Sequence, residues 1–165
     1  METTAEILKI LKHSPAIIES LLKQAPPQLL KKRPESGKWS IHEHICHLAE
    51  VHPLFFDRLE LIVNQENPVI HSYEPGRDDD DKKLLNIDLA EAFSRYRTDR
   101  SRLIKRLETL TPEQWRKTAE HEEYNFYSVF VMIRHLALHD LFHGYRIEEL
   151  LLQKDRTQPI NTDLL

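Results

Sequence analysis

The 165-residue sequence has one cysteine, three glycines and no long apolar run, and each scarcity closes off a class of protein. A single thiol, Cys46, excludes an internal disulfide framework. Three glycines are too few for turn-rich β architecture or phosphate-cradling loops, and neither a G-x-G-x-x-G nor a P-loop pattern occurs. No apolar stretch approaches the roughly 20 residues of a membrane span, and the N-terminus lacks a signal-peptide pattern. The net charge of −4 is mild and unsegregated, which disfavours nucleic acid as a partner. These features predict a soluble, cytoplasmic, single-domain chain over residues 1–165, long enough to build its own core.

Against these scarcities stand ten histidines, roughly twice the usual share for a chain of this length. Three of them, His135, His139 and His143, recur four residues apart within the stretch from Phe130 to Gln153. On a helix, residues four apart stack, but each such step drifts by roughly 40°, so one ion takes a neighbouring pair and hardly all three. Met132, Leu136, Ile147 and Leu150 form an apolar stripe at helical spacing. His143 falls near its middle, His139 inside it and His135 at its margin. Inward histidines need polar partners, and a shared metal supplies one to both members of the pair. Packed, hydrogen-bonded histidines are the plainer alternative.

Helical periodicity places four long helices at 1–24, 40–64, 88–110 and 128–153, followed by a tail at 154–165. Ser14-Pro15 suits an N-cap and first helical position, which predicts a kink or restart in the first helix. Ser40 with Glu43 reads as a capping box opening the second helix, whose seam is Ile41, Ile45, Leu48, Phe55, Leu59 and Ile62. Pro53 lies inside it and predicts a bend. Asp78 to Asp81 lack the alternating spacing of a calcium loop and read as solvated crossover loop. The third helix turns Leu89, Phe93, Tyr96, Leu103, Ile104 and Leu107 inward, with Arg95, Arg97, Arg100, Arg102, Lys105 and Arg106 on an outer face, read as mostly solvent surface or ion pairs with the helix's own acids. Thr111 to Gln114 cap a short turn carrying Trp115. With no strand signal, the fold class is all-α, a four-helix bundle with long crossover connections. The links at 25–39 and 65–86 leave its topology open.

If the second and last helices are neighbours, a third ligand for the pair comes from His44, His47 or His52, and spacing alone does not choose among them. Cys46, about 100° round the helix from His47, reads as packing. Here the chain resembles the DinB/YfiT-like family. Gly37-Lys38-Trp39-Ser40, Glu43, His47-Leu48-Ala49-Glu50 and Arg58-Leu59 are similar to its second-helix signature. Leu110 to Trp115 and the run from His135 to His143 are similar to its later segments. The resemblance extends from about residue 10 to residue 152.

It implies a bundle holding one divalent transition metal, zinc, nickel or iron, through His47, His139 and His143. It implies a homodimer and a small-molecule substrate, with a low-molecular-weight thiol as one candidate partner. Family activities include thiol-dependent transfer, and other members are called metal-dependent hydrolases. Three imidazoles leave a divalent ion with open positions, the arrangement of a catalytic site. The expected function is therefore a metal-dependent enzyme of the thiol-dependent S-transferase type acting on a small electrophile. Hydrolysis, or metal binding without catalysis, is the alternative. Glu50, one turn from His47, is the candidate for orienting a ligand or moving a proton. Two positions depart from the family pattern. His52, where an acid is usual, is either a fourth ligand or a buried hydrogen-bonded residue. Arg146, where Gln is common, is either an anion-binding catalytic candidate or half of an ion pair with Glu149 or Glu50.

Overall fold

The computed structural model describes residues 1–34, 38–73 and 83–153. Six α-helices occur among them: α1 (Thr4–Gln24), α2 (Ile41–Glu50), α3 (His52–Asn64), α4 (Leu89–Glu108), α5 (Pro112–Arg116) and α6 (Val129–Leu152). The run Asp78 to Asp81, Gly37 of the second-helix motif and the tail from residue 154 lie outside the described residues. None of the described helices is long and apolar enough to cross a membrane. The starts follow from side-chain caps. Thr3 and Glu6 form a reciprocal capping box on α1, Ser40 and Glu43 on α2, and Thr111 and Gln114 on α5. Asp88 and Ser128 cap α4 and α6.

No restart occurs at Pro15, and the bend expected at Pro53 is a full break between two helices. α1 runs unbroken through Pro15. Pro15 has no N–H to give the Leu11 carbonyl one turn earlier. That carbonyl accepts instead from the Arg100 guanidinium at 3.4 Å. Pro53 does more than bend the second helix. Val51 separates α2 from α3, and Pro53 falls in the first turn of α3, where a missing N–H leaves nothing unpaired.

The four long units, counting α2–α3 as one, are a bundle. α1 packs on α6 and α4, and α2–α3 packs on α4 and α6, so α1 lies diagonally across from α2–α3. One apolar cluster joins Ile7, Leu11, Leu59, Ile62, Leu103, Leu107, Met132 and Leu136, while another joins Ile18, Ile41, Ile45, Phe93, Tyr96, Ile147 and Leu150. Membership of the two clusters fixes the directions. α1 and α6 run one way, α2–α3 and α4 the other, so the segment between α3 and α4 returns along the bundle as a crossover.

A polar layer separates the clusters, with one residue from each long unit: Ser14, His52, Arg100 and Asp140, all buried. Arg100 makes a two-pronged ion pair with Asp140, with its Nη2 at 3.0 Å from Oδ1. Ser14 donates to Asp140 at 2.5 Å, Tyr96 donates to it at 3.1 Å, and Arg100 Nε donates to His52 Nε2 at 3.1 Å. Arg100 is therefore no part of a solvent face. Arg95 and Arg106 likewise reach across to Glu50 and Glu60 instead of acids on their own helix.

Three short strands, which the sequence did not announce, close one end. β1 (Val69–Ile70) pairs in parallel with β2 (Thr118–His121), and β2 pairs antiparallel with β3 (Tyr127–Ser128).

Candidate metal centre

α2 and α6 are packed neighbours, and this brings His44 and His47 against His139 and His143. The Ser40 cap fixes where α2 begins. Its partner Glu43 is buried, and Arg33 clamps its carboxylate, with Nε 3.0 Å from both oxygens. One turn on from Ser40 stands His44, and His47 follows three residues later.

His47, His139 and His143 each offer one ring nitrogen to a common point, all within 4.8 Å of one another. His139 Nε2 lies 3.0 Å from His47 Nε2 and 3.0 Å from His143 Nε2. An imidazole nitrogen carries either one proton or one in-plane lone pair. His139 Nε2 therefore cannot satisfy both contacts as hydrogen bonds, whichever tautomers are chosen. A cation at the focus would accept all three lone pairs, so the donor set fits a metal ion. Neutral imidazoles suit zinc, nickel, iron or copper.

Protonation is held off. Burial, and then the neighbouring His139 and His44 rings, bring His47 down to about 3. Burial and the His139, His47 and His44 rings depress His143 further, and burial lowers His139 as well. The rings are thus neutral across the physiological range and ready to bind.

His44, one of three candidates for the third position, takes a different place. Its Nδ1 is 2.8 Å from Nδ1 of His143, on the side of that ring away from the focus. With the Nε2 lone pair of His143 facing inward, its Nδ1 proton is donated to His44. His44 is itself kept neutral, brought down to about 4 by burial and by the Arg146 charge. The Nδ1 atoms of His47 and His139 are buried and have no hydrogen-bond partner among the described residues. Only one of the three rings is thus braced from behind. Trp39 covers the group, its ring centroid 4.7 Å from that of His47 and nearly parallel to His143 at 6.0 Å.

His52 points into the polar layer, bound to Arg100, and does not join the three. His135 stacks edge-on with Tyr124 at 5.5 Å, in an aromatic group with His121 and Tyr127. Cys46 is fully buried, and burial pushes its thiol up to about 12, which suits packing and not nucleophilic attack.

The triad opens onto a cleft of about 330 Å³ lined by Trp39, Val51, Leu54, Phe55, Phe142, Arg58 and Tyr73 besides its own rings. Neither catalytic candidate lines it. Glu50 is ion-paired with Arg95. Arg146 binds Glu149 at 2.5 Å beside a separate cavity with Pro34 and Lys38, and its charge is felt at the site through His44. Trp39, Arg58, Tyr73 and the His44 brace were not assigned to the site from sequence. Trp39 and Arg58 were visible there only as parts of the second-helix motif.

A helical bundle with three neutral histidines focused beside an apolar cleft defines a class, and sequence comparison names it. The DinB superfamily pattern matches residues 10–147, and the chain belongs to that superfamily. It is 30% identical over 125 residues to a protein of Oceanobacillus iheyensis provisionally named a metal-dependent hydrolase, a match covering 73% of this chain and 69% of the relative. Its fold is similar to that of YfiT from Bacillus subtilis, with a TM-score of 0.76 and 20% identity over 91% of this chain and 89% of that one. YfiT is described as having an unusual four-helix bundle topology and is assigned, also provisionally, as a metal-dependent hydrolase.

Proposed function

We propose that the protein is a metal-dependent enzyme that joins a low-molecular-weight thiol to a small electrophilic molecule. The convergence of His47, His139 and His143 on one point at the end of an apolar cleft carries this reading. A divalent ion held by His47, His139 and His143 would supply Lewis acidity there, lowering the pKa of a thiol or water bound to it. The chain's own residues do the rest. His44 holds the proton on the far nitrogen of His143 and so keeps the near lone pair aimed inward. Trp39, Val51, Leu54, Phe55 and Phe142 wall the cleft, orient an apolar substrate and limit water.

Transfer is favoured over hydrolysis because Glu50, one turn from His47, is taken by Arg95 and does not line the cleft. Among the described residues no carboxylate lines it. Hydrolysis is the second reading, supported by the name of the Oceanobacillus iheyensis relative. The purified protein should hold about one equivalent of zinc, nickel or iron by elemental analysis. Turnover of electrophiles such as chloro-dinitrobenzene or epoxides should require added thiol. Turnover of ester or amide substrates without thiol would establish hydrolysis instead, and neither activity on the metal-loaded protein would leave a binding protein.

A further inference from the structure

Arg58 stands on α3 and lines the same cleft as the three histidines. Its neighbours in the bundle each neutralise an acid: Arg95 pairs with Glu50, Arg100 with Asp140, and Arg106 with Glu60. Arg58 forms no ion pair among the described residues. One Nη donates to the His71 carbonyl at 2.5 Å. Glu122 is engaged with the same 71–72 segment. It binds the His71 ring at 2.7 Å and the Ser72 N–H at 2.8 Å. A half-buried guanidinium is thus held in place by a neutral acceptor and, among the described residues, left with an unmatched charge beside the cleft.

We propose that Arg58 anchors an anionic group, and that the cleft's occupant is a small molecule with an apolar body ending in a carboxylate. The proposal rests on the triad cleft being the substrate site, as proposed above. The walls say what lies between the two ends: Val51, Leu54, Phe55 and Phe142 are apolar, and Trp39 offers a flat aromatic face. A volume of about 330 Å³ is at the small end of ligand sites, which excludes large conjugates from lying wholly inside. The planar fork of arginine matches a carboxylate with two parallel hydrogen bonds, which a lysine would not. The guanidinium selects and orients, and the reacting carbon of the substrate sits toward the histidines.

The test compares phenylacetate with its neutral isostere phenylacetamide, titrated into the full-length protein and followed by calorimetry and by Trp39 fluorescence. Metal content is measured alongside, and the titrations are repeated after chelator treatment so that direct binding of the carboxylate to a metal does not contribute. The expected result is a preference for phenylacetate of roughly tenfold or more in both states, the scale of one charge-assisted contact. Arg58→Gln should abolish the preference, and Arg58→Lys should keep only part of it, with metal content and melting temperature at the wild-type value in both. Equal affinity for the two probes, no saturable binding of phenylacetate, or a preference that survives Arg58→Gln would overturn the proposal. Failure of the transferase reading looks different: the preference would persist while no thiol-dependent turnover is found.

Discussion

Arg100 of α4 grips Asp140 of α6 at the centre of the bundle, and Asp140 is the residue next to the triad histidine His139. Both side chains are out of contact with solvent. The pair therefore fixes the rotation of α6 at the level where its histidines must face α2. Removing one partner leaves an uncompensated buried charge. Arg100→Met or Asp140→Ala should destabilise the protein by about 3–5 kcal/mol in urea unfolding. Replacing both by apolar residues should cost less than the two single changes together. A single-variant loss below about 1 kcal/mol, the worth of a surface pair, would count against this role.

The three-histidine assignment separates residues that look alike on one helix. His143→Ala and His47→Ala should abolish stoichiometric metal binding. His135→Ala should leave it near one equivalent, because that ring is packed with Tyr124 and Tyr127. Circular dichroism of the chelated wild type should retain the helical signal, since two apolar clusters hold the bundle independently of an ion. If His135→Ala loses the metal and His143→Ala keeps it, the site is assigned to the wrong pair.

His44 acts through His143, so its loss should weaken metal binding without removing it. His44→Ala should lower affinity roughly 10- to 100-fold, the usual effect of deleting a partner behind a ligating histidine, with stoichiometry unchanged. His44→Gln, whose side-chain oxygen can accept the same proton, should recover part of the loss. Competition with a chromogenic chelator reads the difference, and a stoichiometry of zero in His44→Ala would make His44 a ligand itself.

Glu43 gives a pH signature. Burial works against its charge, but Arg33 and the Ser40 cap outweigh that and hold its carboxyl below the ordinary value of 4.5. A carboxylate with a lowered folded-state pKa contributes stability that is fully present above 4.5 and is lost as pH falls below it. Arg33→Gln should therefore destabilise most near neutral pH, and the gap from wild type should shrink as the pH is taken down through 4. A gap that widens on acidification would contradict the assignment of Arg33 as the stabilising partner.

The long helices and the pair His139 and His143 were legible because a 3.6-residue apolar period writes itself into the sequence and both histidines lie on it. Spacing left His44, His47 and His52 open, and only the family resemblance pointed to His47. The Val51 break was not legible. A proline in the middle of one helix and a proline in the first turn of the next have the same neighbours in sequence, and only the packing of α2 distinguishes them. β1 and β3 are two residues long, too short for any alternation to register. Arg100 read as surface because it stands among arginines that are mostly exposed, while the acid that justifies its burial lies 40 residues away. Ser14 had the credentials of an N-cap and spends its hydroxyl on that same acid.

The order in which the four long units sit has a kinetic consequence. α1 does not touch its successor substantially, and α4 lies across the bundle from α6, so neither forms a local helical hairpin with the next long helix. The only sequential neighbours among the long units, α2–α3 and α4, run parallel, so they form no local hairpin either. Loops must be shut before most native contacts reward the chain, which raises contact order and slows folding relative to an up-and-down bundle of equal length. α1 finds its place against α6, a helix more than a hundred residues later in the chain, so during synthesis the N-terminal helix waits without its principal partner until the last helix emerges.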